Sequence, residues 1–394
     1  MSARELRLLF IVTGAVVFVD TMFYSAVAPL LPSLTRQLHL SKLSAGVLTA
    51  GYPVGTLVGS LPGGALAQRA GPRVTTYTGL FLLAVSSFAF GLLDNVALLD
   101  AARFVQGVGG ACTWAGSLAW LIAETPAETR GQAIGAGVAA GIAGALFGPV
   151  IGTLAHALGR APVFSAVVVV AAALAAAVGR LRPPPAPSPD RTRARLLDQL
   201  RRPAIALGMW LVALPAIASG AVNVLAPLRL NQLGASAVGI GATFLVAAAV
   251  EATISPMVGR LSDRRGRMFP LRIGLAGAAV ALVFFTVPQR ALLLAVVIVL
   301  ITVALGTFWA PGMALLSDAA ESHGMSLAYA LALINLAWAA GQIAGAGGGG
   351  ALAKATSDAV PFVLCAVLCA VTLGLVLIRP LSAGLQRRRL VNDG

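Results

Sequence analysis

Apolar residues occur in long runs that short polar loops separate from one another. Twelve such runs follow in succession, each near the ~20 residues that an α-helix needs to cross the hydrocarbon core of a bilayer. One such run could be a buried core helix, but twelve predict an all-α integral membrane protein. The predicted spans are 8–31, 43–66, 74–93, 97–121, 132–156, 161–181, 204–227, 238–259, 269–288, 291–316, 326–351 and 359–379.

Composition supports the membrane class. Of the 394 residues 58% are hydrophobic and 11% are charged, against about 25% charged in a typical soluble domain. The first run is too long for the apolar core of a signal peptide and lacks a small-residue cleavage site. Three cysteines, Cys112, Cys365 and Cys369, lie inside predicted spans, and we interpret them as small packing residues rather than disulfide or zinc ligands.

One connection is much longer than the others. Residues 182–203 are rich in proline and arginine and cannot pack a core, although 191–202 could form a short amphipathic helix. We therefore predict a six-helix bundle at 1–181, a cytoplasmic linker at 182–203 and a second six-helix bundle with a cytoplasmic tail at 204–394.

The placement of positive charge predicts the orientation. The net charge of +14 could indicate a nucleic-acid partner, but the arginines lie in short loops between apolar runs, which argues against one. With both termini inside, 21 of the 28 Lys and Arg residues fall on the inner side and 6 on the outer side, and Arg103 lies within a span. Excess positive charge marks cytoplasmic loops. We expect a multi-pass protein of the inner or plasma membrane with both termini in the cytoplasm.

The two predicted bundles repeat each other. The loop at 64–73 matches the loop at 259–268, and a row of glycines in the fifth span matches one in the eleventh at an offset of 197. Two six-helix repeats in the same orientation are the architecture of many secondary transporters. The aligned glycines are Gly144, Gly148, Gly152 with Gly341, Gly345, Gly349.

Two loops share a pattern of glycine, acid and arginine. The first has Gln68 where an acid would stand, and the second has an acid at Asp263. Glycines suit a tight turn, and the arginines can pair with an acid or cap helix carbonyls. They could also serve only as topology signals. The candidate loop residues are Gly64, Arg69, Gly71, Arg73, Gly259, Asp263, Arg264, Gly266 and Arg267.

The fifth span carries the most specific pattern. Its glycines have spacings that let another helix approach closely, and Pro149 removes a backbone hydrogen bond. Ordinary small-residue packing would also be satisfied by alanine. The residues of this element are Gly135, Gly144, Gly148, Pro149 and Gly152. In the fourth span, Arg103, Gln106 and Gly107 form a further element, "RFVQG".

These elements together resemble the major facilitator superfamily, and within it the twelve-span drug/proton antiporter branch. The resemblance covers nearly the whole chain. It implies that the two loops latch the halves together on the cytoplasmic side. Because Gln68 cannot form an ion pair, the second loop would carry more of that latch. The region around Asp20 is also similar to vesicular amine transporters, in which an acid in the first span pairs with a cationic amine.

Three ionisable residues lie clearly within spans: Asp20, Arg103 and Glu251. Charges there are costly and usually functional. Neither acid has an acidic counterpart in the repeat, since Asp20 maps near Ala218 and Glu251 near Thr56. Burial favours a neutral carboxylic acid and a nearby arginine favours the carboxylate, so an alternating environment could move a proton.

Several interpretations of these charges remain open. Asp20 could carry the proton, bind a cationic substrate, or do both by competition. It could instead have a structural role, in a static ion pair with Arg103 or a hydrogen bond within the bundle. Arg103 could instead reach the outer surface. Residues with the spacing to line a pocket are Phe23, Tyr24, Tyr52, Trp114, Asn223, Trp309, Asn335, Trp338 and Gln342, of which we select Phe23, Tyr24, Asn223 and Asn335 as cavity candidates.

The sequence therefore predicts a proton-coupled exporter of small amphipathic or cationic compounds that works by alternating access. We expect a monomer with a small-molecule substrate, protons and lipid as partners, no cofactor beyond the proton gradient, and no metal. No ATP-binding loop or catalytic triad is visible, so we do not expect an enzyme. The alternatives are a metabolite or sugar porter, including a symporter, and a non-transporting membrane sensor or scaffold.

Overall fold

The structure, a computed structural model, describes residues 3–126, 129–182, 202–323, 325 and 327–378. Each predicted span coincides with helix there. The helices are α1 (Ala3–Ser25), α2 (Val27–Gln37), α3 (Lys42–Arg69), α4 (Pro72–Leu92), α5 (Val96–Glu124), α6 (Arg130–Leu158), α7 (Arg160–Arg180), α8 (Pro203–Gln232), α9 (Ala237–Arg265), α10 (Met268–Val283), α11 (Ala291–Ser322), α12 (Leu327–Ile343), α13 (Gly349–Ala355) and α14 (Ala359–Ile378).

Local chemistry sets several helix ends. The side chains of Ser41, Asn95 and Ser236 accept hydrogen bonds from backbone N–H groups in the first turns of α3, α5 and α9. Gly71 and Gly266 adopt positive φ angles of 88° and 80° just before α4 and α10, where a side chain would be strained. Several helices extend a turn or more beyond the predicted spans, as α8, α9 and α11 do at their C-terminal ends. The polar residues at these ends continue the helical backbone past the apolar run.

Two spans are interrupted. The first consists of α1 and α2, which meet at Ala26. The eleventh consists of α12 and α13, joined by the π-helical stretch Ala344–Gly348. A π-turn widens the helix locally and weakens its regular hydrogen bonding.

Ten of the helical segments described are long and apolar enough to cross a membrane by length and composition. The long helices α3 and α5 are not among them. Their contact explains this, because Gly55 and Gly107 place backbone against backbone where any Cβ would collide with Phe104 O or Tyr52 O. Small residues at such a crossing allow close approach at the expense of hydropathy.

The aligned glycine rows form equivalent contacts in the two halves. Gly144, Gly148 and Gly152 of α6 pack against the backbone of α1 and its junction with α2 at Phe18, Met22 and Ala26. Gly341, Gly345 and Gly349 pack against α8 at Ala213, Ile217 and Ala221. We call the first contact the α1–α6 seam. The seam partners differ by 195 residues, which places Asp20 opposite Pro215 rather than near Ala218, and neither position is acidic.

The two halves, α1–α7 and α8–α14, meet at the end of the bundle remote from the termini. Lys42 Nζ and Asp358 Oδ1 lie 2.5 Å apart, and Arg36 Nη1 donates to Asn231 Oδ1 at 3.3 Å. Gly46 lies directly against the backbone of Ala346. This end is therefore closed by both polar and backbone contacts.

The predicted latch loops lie at the other end, and their hydrogen bonds to other described residues stay within one half. Arg73 donates to Gly179 O at 2.6 Å, and Arg267 pairs with Asp318 and donates to Ala314 O at 2.8 Å. Arg69 and Arg264 are exposed, Gly64 and Gly259 have open space around Cα, and the Asp263 side chain lies outside the described positions. A cross-half latch thus stays a prediction. Residues 183–201 are also outside the described ranges, so the linker and the division into bundles stay predictions as well.

Candidate functional site

Asp20 lies in the middle of α1 and is completely buried, with 0% of its surface exposed. The Tyr52 hydroxyl of α3 donates to Asp20 Oδ2 at 2.8 Å. Thr113 and Trp114 of α5 lie beside the same carboxyl group. Asp20 Oδ1 is buried without a hydrogen-bond partner among the residues described. A buried charge normally finds a partner or loses its charge, and within the described part of the chain this carboxyl group has a hydrogen-bonded partner, Tyr52, on only one of its two oxygens.

The packing of α1, α5 and α6 creates the space for Asp20 and Tyr52. The α1–α6 seam fixes α1 at Phe18 and Met22, on either side of Asp20. Across the site, Gly110 of α5 faces the pair directly. A Cβ at position 110 would lie 3.1 Å from Asp20 Oδ2 and collide with the Tyr52 hydroxyl. Gly110 is therefore part of the site, although it contributes no functional group.

Arg103 of α5 is 1% exposed, so the alternative in which it reaches the outer surface is wrong for this structure. Its Nη1 donates to Gln106 Oε1 at 2.5 Å and its Nη2 to Tyr24 O at 3.2 Å. Its Nε has no acceptor among the residues described. The guanidinium makes no ion pair with Asp20, so a static Asp20–Arg103 pair is not what holds the acid in place.

Aromatic rings enclose the guanidinium. Its carbon lies 5.6 Å from the Tyr24 ring centroid and 5.4 Å from that of Tyr52, within cation–π range. The two tyrosine rings pack at 4.4 Å. Tyr24 also contacts Trp338 of α12 edge-to-face at 5.7 Å, and this contact joins the two halves. Asp20, Tyr24, Tyr52, Arg103 and Trp338 are called the acid–aromatic cluster below.

Phe23 lies in a packed helix interface rather than in the acid–aromatic cluster, and its role as a cavity residue stays a prediction. Phe23 is 3% exposed and packs against Phe164 of α7 in an edge-to-face pair at 5.5 Å. It precedes Tyr24 by one residue, so its side chain points away from the cluster. Asn223 and Asn335 are half-buried and make no side-chain hydrogen bond to another described residue. They remain cavity candidates on α8 and α12.

Glu251 of α9 is not brought to the acid–aromatic cluster. Its carboxyl group packs on Gly306 of α11, where a Cβ would lie 2.6 Å from Oε1. No ion pair to another described residue forms. The two intramembrane acids therefore occupy separate sites, one in each half.

The predicted antiporter element of the fifth span divides in two. Gly144, Gly148 and Gly152 form the α1–α6 seam, whereas a Cβ at Gly135 would meet nothing within 4 Å, so Gly135 takes no part. Pro149 is buried, and its carbonyl accepts a hydrogen bond from Thr153 at 2.8 Å. The seam lies within the first half rather than between the halves. Its contact across the halves is at Thr153, against Gly241 of α9.

Tyr52 and Trp338 are among the residues that could line a pocket but are not among the cavity candidates selected from them, and sequence reasoning missed Gly110. The sequence does place Gly51, Gly55, Gly59 and Gly63 on one face of the second span, which is a signal for close packing on that face. Tyr52 adjoins that face, so a helix packed there would bring it toward the fourth span. No comparable signal distinguishes Trp338 from Trp114 and Trp309, the other tryptophans among the pocket candidates.

Comparison with known proteins agrees with this architecture. Residues 13–330 match the Major Facilitator Superfamily. An uncharacterized MFS-type transporter, YcaD, of Escherichia coli O139:H28 is 25% identical over 256 residues, which span 64% of this chain and 66% of YcaD, just under two thirds. A Shigella flexneri YcaD gives the same values.

Solved structures share the fold. A bacterial homologue of the human lysosomal transporter Spinster superposes with a TM-score of 0.74 at 14% identity, covering 95% of this chain and 96% of that one. The nucleoside transporter NupG gives 0.75 at 12% identity, over 94% and 98%. A D-xylose-proton symporter gives 0.70 at 18% identity, over 94% and 97%. At these identities the likeness concerns the fold alone. With four fifths of its length matched and an all-helical membrane architecture in agreement, the chain belongs to the major facilitator superfamily of membrane transporters.

Proposed function

We propose that this transporter is proton-coupled and exports small amphipathic or cationic compounds, with Asp20 as the group that takes up and releases the proton. The observation that carries the proposal is the complete burial of Asp20 beside Tyr52 with one carboxyl oxygen left unpartnered among the residues described. The glycine seam supports it, because the element that resembles the antiporter branch packs on the helix segment that bears Asp20.

The coupling of substrate transport to protons would follow from the charges of Asp20 and Arg103. An ionised Asp20 balances the buried Arg103, and the Tyr52 hydroxyl stabilises the carboxylate by a hydrogen bond. Protonation removes the negative charge and leaves Arg103 uncompensated. A cationic substrate that needs the carboxylate therefore competes with the proton, which is the requirement for exchange of one against the other.

A second candidate is a porter of neutral or anionic metabolites that moves substrate together with a proton. Arg103 favours it, since its Nε has no acceptor and its charge has no direct counter-ion among the described residues. With Asp20 protonated, such a site would attract an anion. Proton and substrate would then bind cooperatively instead of competing.

Proteoliposome flux separates these functions. Purified protein is tested with a lipophilic fluorescent cation and with an aromatic carboxylate, each with and without an imposed pH gradient. Exchange predicts that an opposing proton gradient drives the cation, whereas symport predicts that a parallel gradient drives the anion. Compounds found in a growth screen against toxic substances replace the probes when available.

Asp20→Asn is the decisive variant, and Asp94→Asn is its control because Asp94 is an exposed acid paired with Arg160 in a loop of the first half. We expect Asp20→Asn to abolish gradient-driven flux while Asp94→Asn retains it. Gradient-driven flux at the wild-type rate in Asp20→Asn would refute the coupling role. A wild-type protein that transports none of the probes, together with equal growth of cells carrying wild type and Asp20→Asn, would favour a non-transporting sensor.

We also propose a location in the inner or plasma membrane with both termini in the cytoplasm, from the distribution of positive charge. Reporter fusions at the chain termini and in the loop between α7 and α8 test it. An extracytoplasmic signal from these fusions would overturn the orientation.

A further inference from the structure

The contact between Tyr24 and Trp338 joins the acid-bearing half to the other half. The rings meet edge-to-face with centroids 5.7 Å apart. Both side chains are half-buried. Trp338 belongs to α12 and Tyr24 follows Asp20 by one helical turn in α1, so a movement of either helix changes this contact.

Tyr24 is tied to Asp20 through two neighbours. Its ring packs on the ring of Tyr52 in a tilted pair, and the Tyr52 hydroxyl donates a hydrogen bond to the Asp20 carboxyl group. Its carbonyl accepts a hydrogen bond from Arg103, whose guanidinium lies over both tyrosine rings. Protonation of Asp20 weakens the Tyr52 hydrogen bond, because a neutral carboxylic acid is a poorer acceptor than a carboxylate, and it removes the counter-charge of Arg103. Tyr52 and Arg103 both hold Tyr24.

On the other side of the contact, a π-helical joint separates α12 from the helix that follows it. The π-helical stretch Ala344–Gly348 divides α12 from α13. Gly350 of α13 packs on Lys42 O, and Lys42 is itself paired with Asp358 at the closed end of the bundle. The end of the eleventh span is thus held. The π-helical joint has weaker regular hydrogen bonding, and because Gly341 and Gly345 pack on the backbone of α8, a tilt of α12 at this joint carries α8 with it.

We propose that Trp338 is a positioning residue through which α12 responds to the protonation of Asp20, with Tyr24 as the intermediate. The proposal rests on the proposed function in one respect, namely that Asp20 titrates. When Asp20 changes charge, Tyr24 shifts, its contact with Trp338 is made or lost, and α12 tilts about Ala344–Gly348. An aromatic pair of this kind changes a conformational equilibrium by roughly 2- to 12-fold.

The groups that face Asp20 limit what else could titrate. Tyr52 faces it from α3, and Arg103 faces it from α5 together with the uncharged Thr113 and Trp114. The stretch of α6 at the seam contributes glycine, and α12 carries no Asp, Glu, Lys, Arg or His in its sequence. Asp20 is therefore the one carboxyl group among the described residues of this cluster.

Tryptophan fluorescence tests the link without a known substrate. In one protein Trp114 is the only tryptophan, the other four being phenylalanine, and it reports Asp20 directly because it lies beside that carboxyl group. In the second protein Trp338 is the only tryptophan. Both are titrated between about pH 5 and 9, the range in which a buried carboxyl group exchanges its proton, in detergent and in lipid nanodiscs.

We expect both single-tryptophan proteins to show a pH-dependent emission change with the same midpoint, and Asp20→Asn to abolish it in both. Tyr24→Leu should abolish the Trp338 response and leave the Trp114 response in place. A Trp338 response that survives Tyr24→Leu would overturn the proposed link. A response of Trp114 with none from Trp338 would also overturn it, while leaving the coupling role of Asp20 intact.

If neither Trp114 nor Trp338 responds to pH, the result counts against Asp20 as a titrating group, and so against the proposed function. Should the single-tryptophan proteins not fold, the difference spectrum between wild type and Trp338→Phe replaces them, and it should change with pH. Trp210→Phe is the control, because the Trp210 indole donates to Thr372 within the second half. An equal pH dependence in both difference spectra would refute the assignment to Trp338.

Discussion

Removal of the Lys42–Asp358 pair should open the end of the bundle remote from the termini. The ammonium and carboxylate are 2.5 Å apart, and their side chains retain 32% and 17% exposure. They link α3 of the first half to the residue just before α14 of the second. Since they are neither fully solvated nor fully buried, we expect the pair to favour the closed arrangement by about 1–2 kcal/mol, between the values for exposed and buried pairs.

A change of this size alters a population ratio by roughly 5- to 30-fold. Lys42→Gln and Asp358→Asn should each raise the open population by that factor, and the double variant should add little to either. Exchange of the two charges, Lys42→Asp with Asp358→Lys, should restore much of the closed state. High salt should reduce all of these differences, because the pair is partly solvated.

Pulsed electron spin resonance measures the population. Spin labels on cysteines at the exposed positions His39 and Ser357 flank the pair, and the three native cysteines are buried and react slowly. The control is Arg160→Gln, which breaks a pair with Asp94 inside the first half and should leave the label distance unchanged. Unchanged distance distributions in both single variants, or fully additive effects in the double variant, would refute the reasoning.

Three further predictions concern the helix contacts. Gly110→Ala should fold but lose pH-driven flux, since its methyl group would lie 3.1 Å from Asp20 Oδ2; wild-type coupling ratios in proteoliposomes would contradict this. Gly144→Leu should lower the yield of folded protein because the side chain would collide with the backbone of α1 at Phe18. Gly135→Leu is the control and should not lower the yield, because a Cβ there meets nothing within 4 Å; size-exclusion chromatography compares the two variants. Phe23→Ala should lower thermal stability, by about 3–5 kcal/mol for a buried phenylalanine, and leave substrate selectivity unchanged; a changed substrate range would instead support Phe23 as a cavity residue.

The spans were predictable because the requirement for ~20 apolar residues is imposed by the bilayer and acts on each helix alone. The glycine seams were partly predictable, since spacing fixes which residues share a helix face. Which partner helix lies under that face depends on the packing of the whole bundle. The seam of Gly144, Gly148 and Gly152 is therefore found against α1, although the same spacing would suit a contact between the halves.

Arg103 shows a different limit of prediction from sequence. Its place about two turns inside a predicted span was compatible with reaching the surface or with burial. Only the positions of Tyr24 and Gln106, on the neighbouring helix and one turn away, make burial possible by providing acceptors. Phe23 and Tyr24 are adjacent aromatic residues, and a rotation of about 100° per residue sends one to the α7 interface and the other to the cluster.

The low hydropathy of α3 and α5 has a consequence for how the protein enters the membrane during synthesis. α3 emerges from the ribosome before α5, whose glycines complete its surface. Arg103 adds about 2.5–3.5 kcal/mol to the insertion of α5. The helix between them, α4, is apolar enough to insert by itself. A chain that ends after α4 should therefore hold α3 poorly in the bilayer, and stable integration of all three should await the synthesis of α5.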